Sequence, residues 1–274
     1  MTIDPDVAIG AALPGRDLSW SASDVLLYHL GLGATPDELR YVYERDLVTL
    51  PTFAVVAHTL RDTEPPVLVM PGIDVDLVDA LHGRQELEVH KPLPTAAACR
   101  EEARISDVYD KGSAALIVTE SSTEFFTLRT TIFVKGAGGF GGARGPSTAV
   151  PPPDRAPDAT VDCPTGFEQA LLYRLSGDRN PLHVDPEFAA RAGFPRPILH
   201  GLCTYGVVCK AVVDRVLDGD PSRVAGFSAR FAGVVYPGET LRVRVWRDGD
   251  RCVVNASIVE RDAPALSDAV LTVH

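Results

Sequence analysis

The sequence predicts an α+β protein made of two similar domains, each an antiparallel sheet wrapped around a central helix. Three observations predict it. The run from Leu202 to Leu217 is apolar on most sides, through Val207, Val208, Ala211, Val212 and Val213. A helix of that kind must be enclosed by other structure. Beyond it the hydrophobic period changes to two, as Leu241, Val243 and Val245 alternate with Arg242 and Arg244, which is the mark of half-buried strands. The two halves also echo each other. Leu26-Leu27-Tyr28-His29-Leu30 returns 145 positions on as Leu171-Leu172-Tyr173-Arg174-Leu175, and Pro94 and Pro237, 143 apart, each precede a strand-like run. Self-similarity at a fixed offset points to a duplicated domain.

Each element follows from local chemistry. In the first half the pattern predicts helices around 23–30 and 74–82, then strands near 85–90, 97–109, 114–121 and 125–134. Gly136-Ala137-Gly138-Gly139-Phe140-Gly141-Gly142 and the later Pro151-Pro152-Pro153 and Pro157 exclude helix and central strand, because Gly is costly to fix and Pro lacks a ladder donor. Residues 136–160 therefore read as a linker between a domain over 1–135 and one over 161–274. In the second half Thr165-Gly166-Phe167-Glu168 has capping-box spacing and would open a short helix through Leu171, Leu172 and Leu175, ended by Gly177. Asp185 reads as an N-cap with Pro186 at the first helical position, and the helix runs through Phe188 and Ala189 to Gly193. After the apolar helix, Phe227, Arg230 and Phe231 lead through Val234 and Val235 to a Tyr236-Pro237-Gly238 turn. The Asp248-Gly249-Asp250 turn then separates the alternating strand from Cys252-Val253-Val254 and Ile258, a hairpin signal. A sheet wrapped around one buried helix is a hotdog domain.

Bulk composition narrows the function. At 274 residues the chain has room for one large domain or two ordinary ones. A net charge of −11 makes it a poor partner for nucleic acid, whose phosphates need a basic face. Cys99, Cys163, Cys203, Cys209 and Cys252 are odd in number and form no Cys-x-x-Cys pair, so neither a disulfide framework nor a zinc site is indicated. The N-terminus lacks the apolar segment of a secretory signal, and no run approaches a membrane span. Leu271-Thr272-Val273-His274 is not a peroxisomal Ser-Lys-Leu address. The expectation is a cytoplasmic protein with reduced thiols.

The chemistry-bearing stretch is Leu175-Ser176-Gly177-Asp178-Arg179-Asn180-Pro181-Leu182-His183-Val184-Asp185-Pro186. Asn180-Pro181 is a turn dipeptide that favours extended backbone before Pro, so the chain from Asp178 to His183 should be short and stiff. A carboxylate and an imidazole on such a turn can converge on one small molecule, and His can give or take a proton near neutrality. Read locally, an Asp near a helix end is also an ordinary cap and a single His an ordinary core or surface residue. Spacing alone leaves both readings open.

The same stretch resembles the signature of the (R)-specific enoyl-CoA hydratase 2 family, relatives of the MaoC-like dehydratases. The pattern is Gly-Asp, any residue, Asn-Pro, an aliphatic residue and His, filled here by Gly177, Asp178, Asn180, Pro181, Leu182 and His183. The likeness continues through Pro197-Ile198-Leu199-His200-Gly201-Leu202-Cys203-Thr204, and from Phe231 to Tyr236-Pro237-Gly238. It extends through Phe140-Gly141-Gly142 and the 26–30 echo into the first half, as in the hydratase unit of peroxisomal multifunctional enzyme type 2. The resemblance implies a double hotdog with one catalytic half and one degenerate half that accommodates the acyl chain. The 145-residue offset sets Gly33 opposite Asp178 and Glu38 opposite His183, so the first half lacks the pair.

The activity this resemblance implies is reversible hydration of a trans-2-enoyl-CoA to the (R)-3-hydroxyacyl-CoA in fatty-acid metabolism. Asp178 would be the principal base and His183 its partner and proton donor, or the two with these roles exchanged, and Asn180 would fix the turn. Gly201, at the start of the buried helix, would let the thioester oxygen reach free N–H groups. Its other reading, a packing glycine under the sheet, is equally open from residues alone. His200 reads as structural or as a pocket wall, and His29, His58, His82 and His90 as ordinary. No cofactor and no metal are expected. The Gly136–Gly142 segment lacks P-loop and dinucleotide-site context. Lys91, Arg191, Arg196 and Lys210 are the cations available for CoA phosphates. Rival readings are a 3-hydroxyacyl-acyl-carrier-protein dehydratase of chain elongation, a hotdog thioesterase and a non-catalytic acyl-binding module. A homodimer is the expected assembly.

Overall fold

In chain order the first half forms β1 (Thr2–Ile3), α1 (Pro5–Ala8), β2 (Ala12–Trp20), α2 (Ala22–Gly31), α3 (Leu39–Val42), α4 (Ala54–Ala57), β3 (Val69–Met70), β4 (Ile73–Asp74), β5 (Ala80–Val89), β6 (Ala97–Asp110), β7 (Ala114–Ser122) and β8 (Phe126–Lys135). The second half forms β9 (Ala159–Pro164), α5 (Gln169–Tyr173), α6 (Pro186–Arg191), α7 (Gly201–Val216), β10 (Val224–Phe231), β11 (Thr240–Asp248), β12 (Arg251–Ile258) and β13 (Ala263–Val273). The structure, a computed structural model, describes residues 1–147 and 149–274.

Ten of the strands form one antiparallel sheet in the order β2-β6-β7-β8-β5-β10-β13-β12-β11-β9. Five come from each half, and the order is palindromic. The first strand of each half lies at an outer edge, and β5 meets β10 at the centre with Glu86 opposite Ser228 and Glu88 opposite Gly226. This is the double hotdog that the sequence predicts. A small sheet, β1-β4-β3, covers a satellite cluster of Ala8, Ile73, Val75, Ile105, Val108 and Ile117.

The apolar run is α7, which packs against β9, β10, β11 and β13. Tyr205, Val208, Cys209, Val212 and Val213 on it are fully enclosed, and each buried aliphatic side chain contributes roughly 1.5–3 kcal/mol. The echoed segments, α2 and α5, pack on one another, with the Tyr28 and Tyr173 rings 6.0 Å apart. Asp24 holds the start of α2 by accepting from the Ser21 N–H at 2.8 Å. Asp185 caps α6 through the Glu187 N–H at 2.8 Å, ahead of Pro186, as its sequence indicates.

The structure corrects the sequence reading at three elements. No helix spans 74–82. Asp76 caps a single 3-10 turn, Leu77–Asp79, through the Val78 N–H at 3.0 Å. From Ala80 the chain is strand, paired with β8 on one side and β10 on the other. Leu77 and Leu81 have helical spacing, but two partner strands outweigh local pattern. The first half also has no counterpart of α7. In its place one 3-10 turn and α4 bury Pro51, Thr52, Phe53, Ala54, Val55, Val56 and Ala57. Irregular chain continues through Pro65-Pro66, which cannot extend a helix. Finally, Thr165 and Glu168 form no capping box. The Thr165 hydroxyl donates to the Glu239 carbonyl at 2.7 Å, and Gln169 accepts from the Gly166 N–H at 2.9 Å.

Candidate active site

The turn after α5 is held from both halves of the chain. A 3-10 turn, Arg174–Ser176, ends at Gly177 with φ +106°, a conformation that favours Gly. A Cβ there would lie 1.7 Å from the Thr59 carbonyl oxygen, so the first half presses directly on the turn. The Thr59 hydroxyl donates to the Ser176 carbonyl at 3.1 Å, and Arg179 Nε donates to the Asp62 carbonyl at 3.2 Å. Asn180 locks the rest of the turn. Its N–H donates to Asp178 Oδ1 at 3.2 Å, and its Oδ1 accepts from the Leu182 N–H at 3.0 Å. Pro181–His183 is then one more 3-10 turn. Asp178 and His183 are thus set by the backbone, as the Asn-Pro dipeptide predicts.

His183 is 8% exposed, and its Nδ1 lies 2.9 Å from the Ile198 carbonyl. A carbonyl only accepts, so Nδ1 carries the hydrogen and the neutral ring keeps a lone pair on Nε2. His200, fully buried at the start of α7, stacks on His183 at 3.7 Å between centroids and lies against Tyr173 at 5.0 Å. One ligand atom from each of Asp178, His183 and His200 falls within 4.8 Å of the others. That spacing resembles a metal set, but stacked rings aim their lone pairs side by side instead of at one ion.

Electrostatics keep the rings neutral and the carboxylate charged. Burial pushes His183 below its ordinary value, against the pull of Asp178 and the Ile198 carbonyl. Burial takes His200 down to about 3. For Asp178 burial acts upward, but the imidazoles of His200 and His183 and the Asn180 N–H outweigh it and hold the carboxyl below the usual range. The resting pair is a carboxylate beside a neutral imidazole.

Both residues open on a cavity of about 390 Å³. Asn180 and Gly201 line it too, so all four residues singled out in the sequence converge. Gly201 is the first residue of α7, where N–H groups have no helical partner. A Cβ on it would meet the Phe231 ring at 3.1 Å. The first half supplies Leu81, His82, Thr130 and Ile132 to the opposite wall.

The local sequence marks His82 and His58 as ordinary, yet both end beside this site. His82 Nε2 donates to Gln85 Oε1 at 3.0 Å, and its ring meets Phe231 at 4.8 Å. Burial takes it down to about 4. Gln85 is a local partner on the same strand, but the contact that brings His82 to the site, the Phe231 ring, comes from the second half and leaves no local motif. Glu38, which the internal offset sets opposite His183, is spent elsewhere, accepting from the Thr35 N–H at 2.8 Å and pairing with Lys210 on α7. Lys91 pairs with Glu124. Arg191 and Arg196, which lie over the Phe188 and Tyr236 rings, have no carboxylate partner among the described residues.

Comparison with known proteins shows the family and the fold. Residues 18–136 match the MFE-2 hydratase 2 N-terminal domain, and residues 148–268 match the MaoC like domain. The enoyl-CoA hydratase ChsH3 of Mycobacterium tuberculosis is 52% identical, over 99% of this chain and 97% of that protein. Peroxisomal enoyl-CoA hydratase 2 of Arabidopsis thaliana is 40% identical, over 97% of this chain and 94% of its own. The crystal structure of a MaoC-like dehydratase from Phytophthora capsici superposes with a TM-score of 0.91 at 28% identity, covering 99% of this chain and 98% of that one.

Proposed function

Because the chain belongs to the MaoC-like family in its two-domain, hydratase 2 form, we propose that it is a hydro-lyase adding water across the trans-2 double bond of an enoyl-CoA. The product would be the (R)-3-hydroxyacyl-CoA of fatty-acid metabolism. The observation that carries the reading is the ionised Asp178 beside neutral His183 at the wall of an apolar-lined cavity. The second half, 161–274, supplies the chemistry. The first, 1–135, supplies the acyl wall through Leu68, Leu77, Leu81 and Ile132, and residues 136–160 join them.

One water sits between Asp178 and His183 Nε2. Asp178 takes one proton from it as its oxygen attacks C3, and the Asp178 carboxylic acid so formed returns that proton to C2 on the same face, while the water's other hydrogen stays in the product hydroxyl. Resting His183 has no hydrogen on Nε2, so it orients the water by accepting a hydrogen bond from the O–H that remains in the product, and is not the resting proton donor that the resemblance implies. Negative charge grows on the thioester oxygen, and the free N–H of Gly201 at the start of α7 stabilises it. Asn180 holds the turn in register. Arg191 and Arg196 are the cations best placed to meet CoA phosphates, since Lys91 and Lys210 are committed to carboxylates.

Among the described residues no helix is long and apolar enough to cross a membrane. Five unpaired cysteines support a reducing compartment, the cytoplasm. Exposed Phe167, Leu171 and Leu175 supply an apolar face for a homodimer, which light scattering on eluting protein would test. The deciding experiment follows loss of enoyl-thioester absorbance with crotonyl-CoA and a longer 2-enoyl-CoA, with free thiol measured in parallel. Loss of absorbance without thiol is the expected result. Thiol release would make the protein a thioesterase, and silence in both signals would favour a carrier-protein substrate or a binding module.

A further inference from the structure

A second cavity, of about 190 Å³, lies behind Asp178. It shares Asp178, His82, Thr130 and Leu202 with the larger cavity, so the two meet at the carboxylate. Its far wall runs from Val55 to Glu64, out of α4 and into the irregular chain that follows it where the first half has no central helix. Two lining residues carry buried polar atoms that no protein group satisfies, Nδ1 of His58 and the hydroxyl of Tyr173. Ser176 Oγ, one residue from the lining Gly177, is in the same state. An orphaned buried donor or acceptor costs about 1–3 kcal/mol. Water relieves that cost wherever a cavity is polar and roomy, and one water takes about 30 Å³. Asp62 is half-buried and Glu64 exposed, so the cavity reaches solvent on that side.

Hydration consumes one water per turnover. An acyl thioester filling the larger cavity stands between Asp178 and solvent on its own side. We infer that the second cavity is a water site that feeds Asp178 from behind while the substrate occupies the front. Val55, Val56, Leu128 and Leu202 also line the second cavity, so what marks it for water is the pair of unsatisfied polar atoms on His58 and Tyr173, with Asp62, Glu64 and Gln85 as further polar partners. The water enters past Glu64, is held by His58 and Tyr173, and leaves by the same path in the dehydration direction. This inference rests on the hydratase reading.

The test compares two exchanges at equilibrium, 18O from labelled water into 3-hydroxyacyl-CoA and carbon label from enoyl-CoA into the same pool. Val55→Phe fills the cavity, and His58→Leu removes a polar anchor at similar volume. In both variants the ratio of oxygen to carbon exchange should fall severalfold, equally for crotonyl-CoA and a ten-carbon substrate. A lesion that merely disturbs the fold slows both exchanges alike and leaves the ratio unchanged, which would overturn the inference. A rise in KM confined to the longer substrate, with the ratio intact, would make the cavity an acyl seat instead. A wild-type protein without hydration would remove the hydratase reading and this inference with it.

Discussion

At the scale of single residues, the division of labour follows from which atoms still have something to give. Asp178 is ionised and His183 has its only ring hydrogen committed to Ile198, so both begin as acceptors. Asp178→Asn removes the stronger one and keeps the shape. Hydration by that variant should fall by about 10³-fold, within the range for positioned general bases, with the melting temperature nearly unchanged. Near-normal turnover would sink the proposed roles. Both groups titrate below their ordinary values, so each is in its working form at neutral pH. The rate profile should therefore be flat from pH 7 to 9 and fall on a single acid limb below the ordinary His value of 6.5. A limb centred above 7 would contradict it. That Asp178, Asn180, His183 and Gly201 would share one cavity was legible through the family resemblance, since spacing alone left other readings open, and all four line it. His82, His58 and the stacking of His200 were not, since tertiary contacts that no local pattern marks bring them there, such as Phe231 against His82 and His183 against His200.

At the scale of elements, the turn that carries Asp178 and His183 is held because the chain at Thr59, from the other half, stands on it. Gly177→Ala would place a Cβ 1.7 Å from the Thr59 oxygen and demand a backbone that L side chains rarely adopt. Strain of this kind costs of order 1–3 kcal/mol before any clash is counted. We expect a loss of at least about 2 kcal/mol in urea titration, with activity falling in step as Thr59 and the turn part. Unchanged stability would mean that the contact between halves is loose. The same contact explains what was readable. Helix α7 was legible because it is apolar on most sides, and β11–β12 because their residues alternate around a tight turn. The stretch 74–82 misleads, since a strand paired on both sides carries apolar residues at any spacing. The absent central helix of the first half was equally hidden, as Pro65-Pro66 is a small signal beside the buried run at 52–56.

At the scale of the whole molecule, buried neutral histidines set the acid limit of the fold. His29 donates from Nδ1 to the Tyr41 carbonyl at 3.1 Å and accepts from the Leu50 N–H at 3.4 Å. Burial takes it and His82 to about 4, and His200 to about 3. Each folded value lies below that of the free group, so the unfolded chain binds protons that the folded one refuses. Their contribution is complete above pH 6.5 and is lost as pH falls from 6.5 toward 4, about 3 kcal/mol for a ring such as His29. Asp110 is held at about 2 by the N–H groups of Gly139, Gly112 and Gly141, so it matters only at lower pH. Melting temperature should drop steeply between pH 6.5 and 4.5, and less so in His29→Gln. A flat profile over that window would refute the assignment. The palindromic sheet has a consequence for synthesis. Strand β5 must wait for β10, about 140 residues later, so a nascent chain emerging from the ribosome carries its central strand with one bare edge. Such an edge invites pairing with strangers; translation speed and chaperone cover over the second half then govern yield more than the stability of the finished fold.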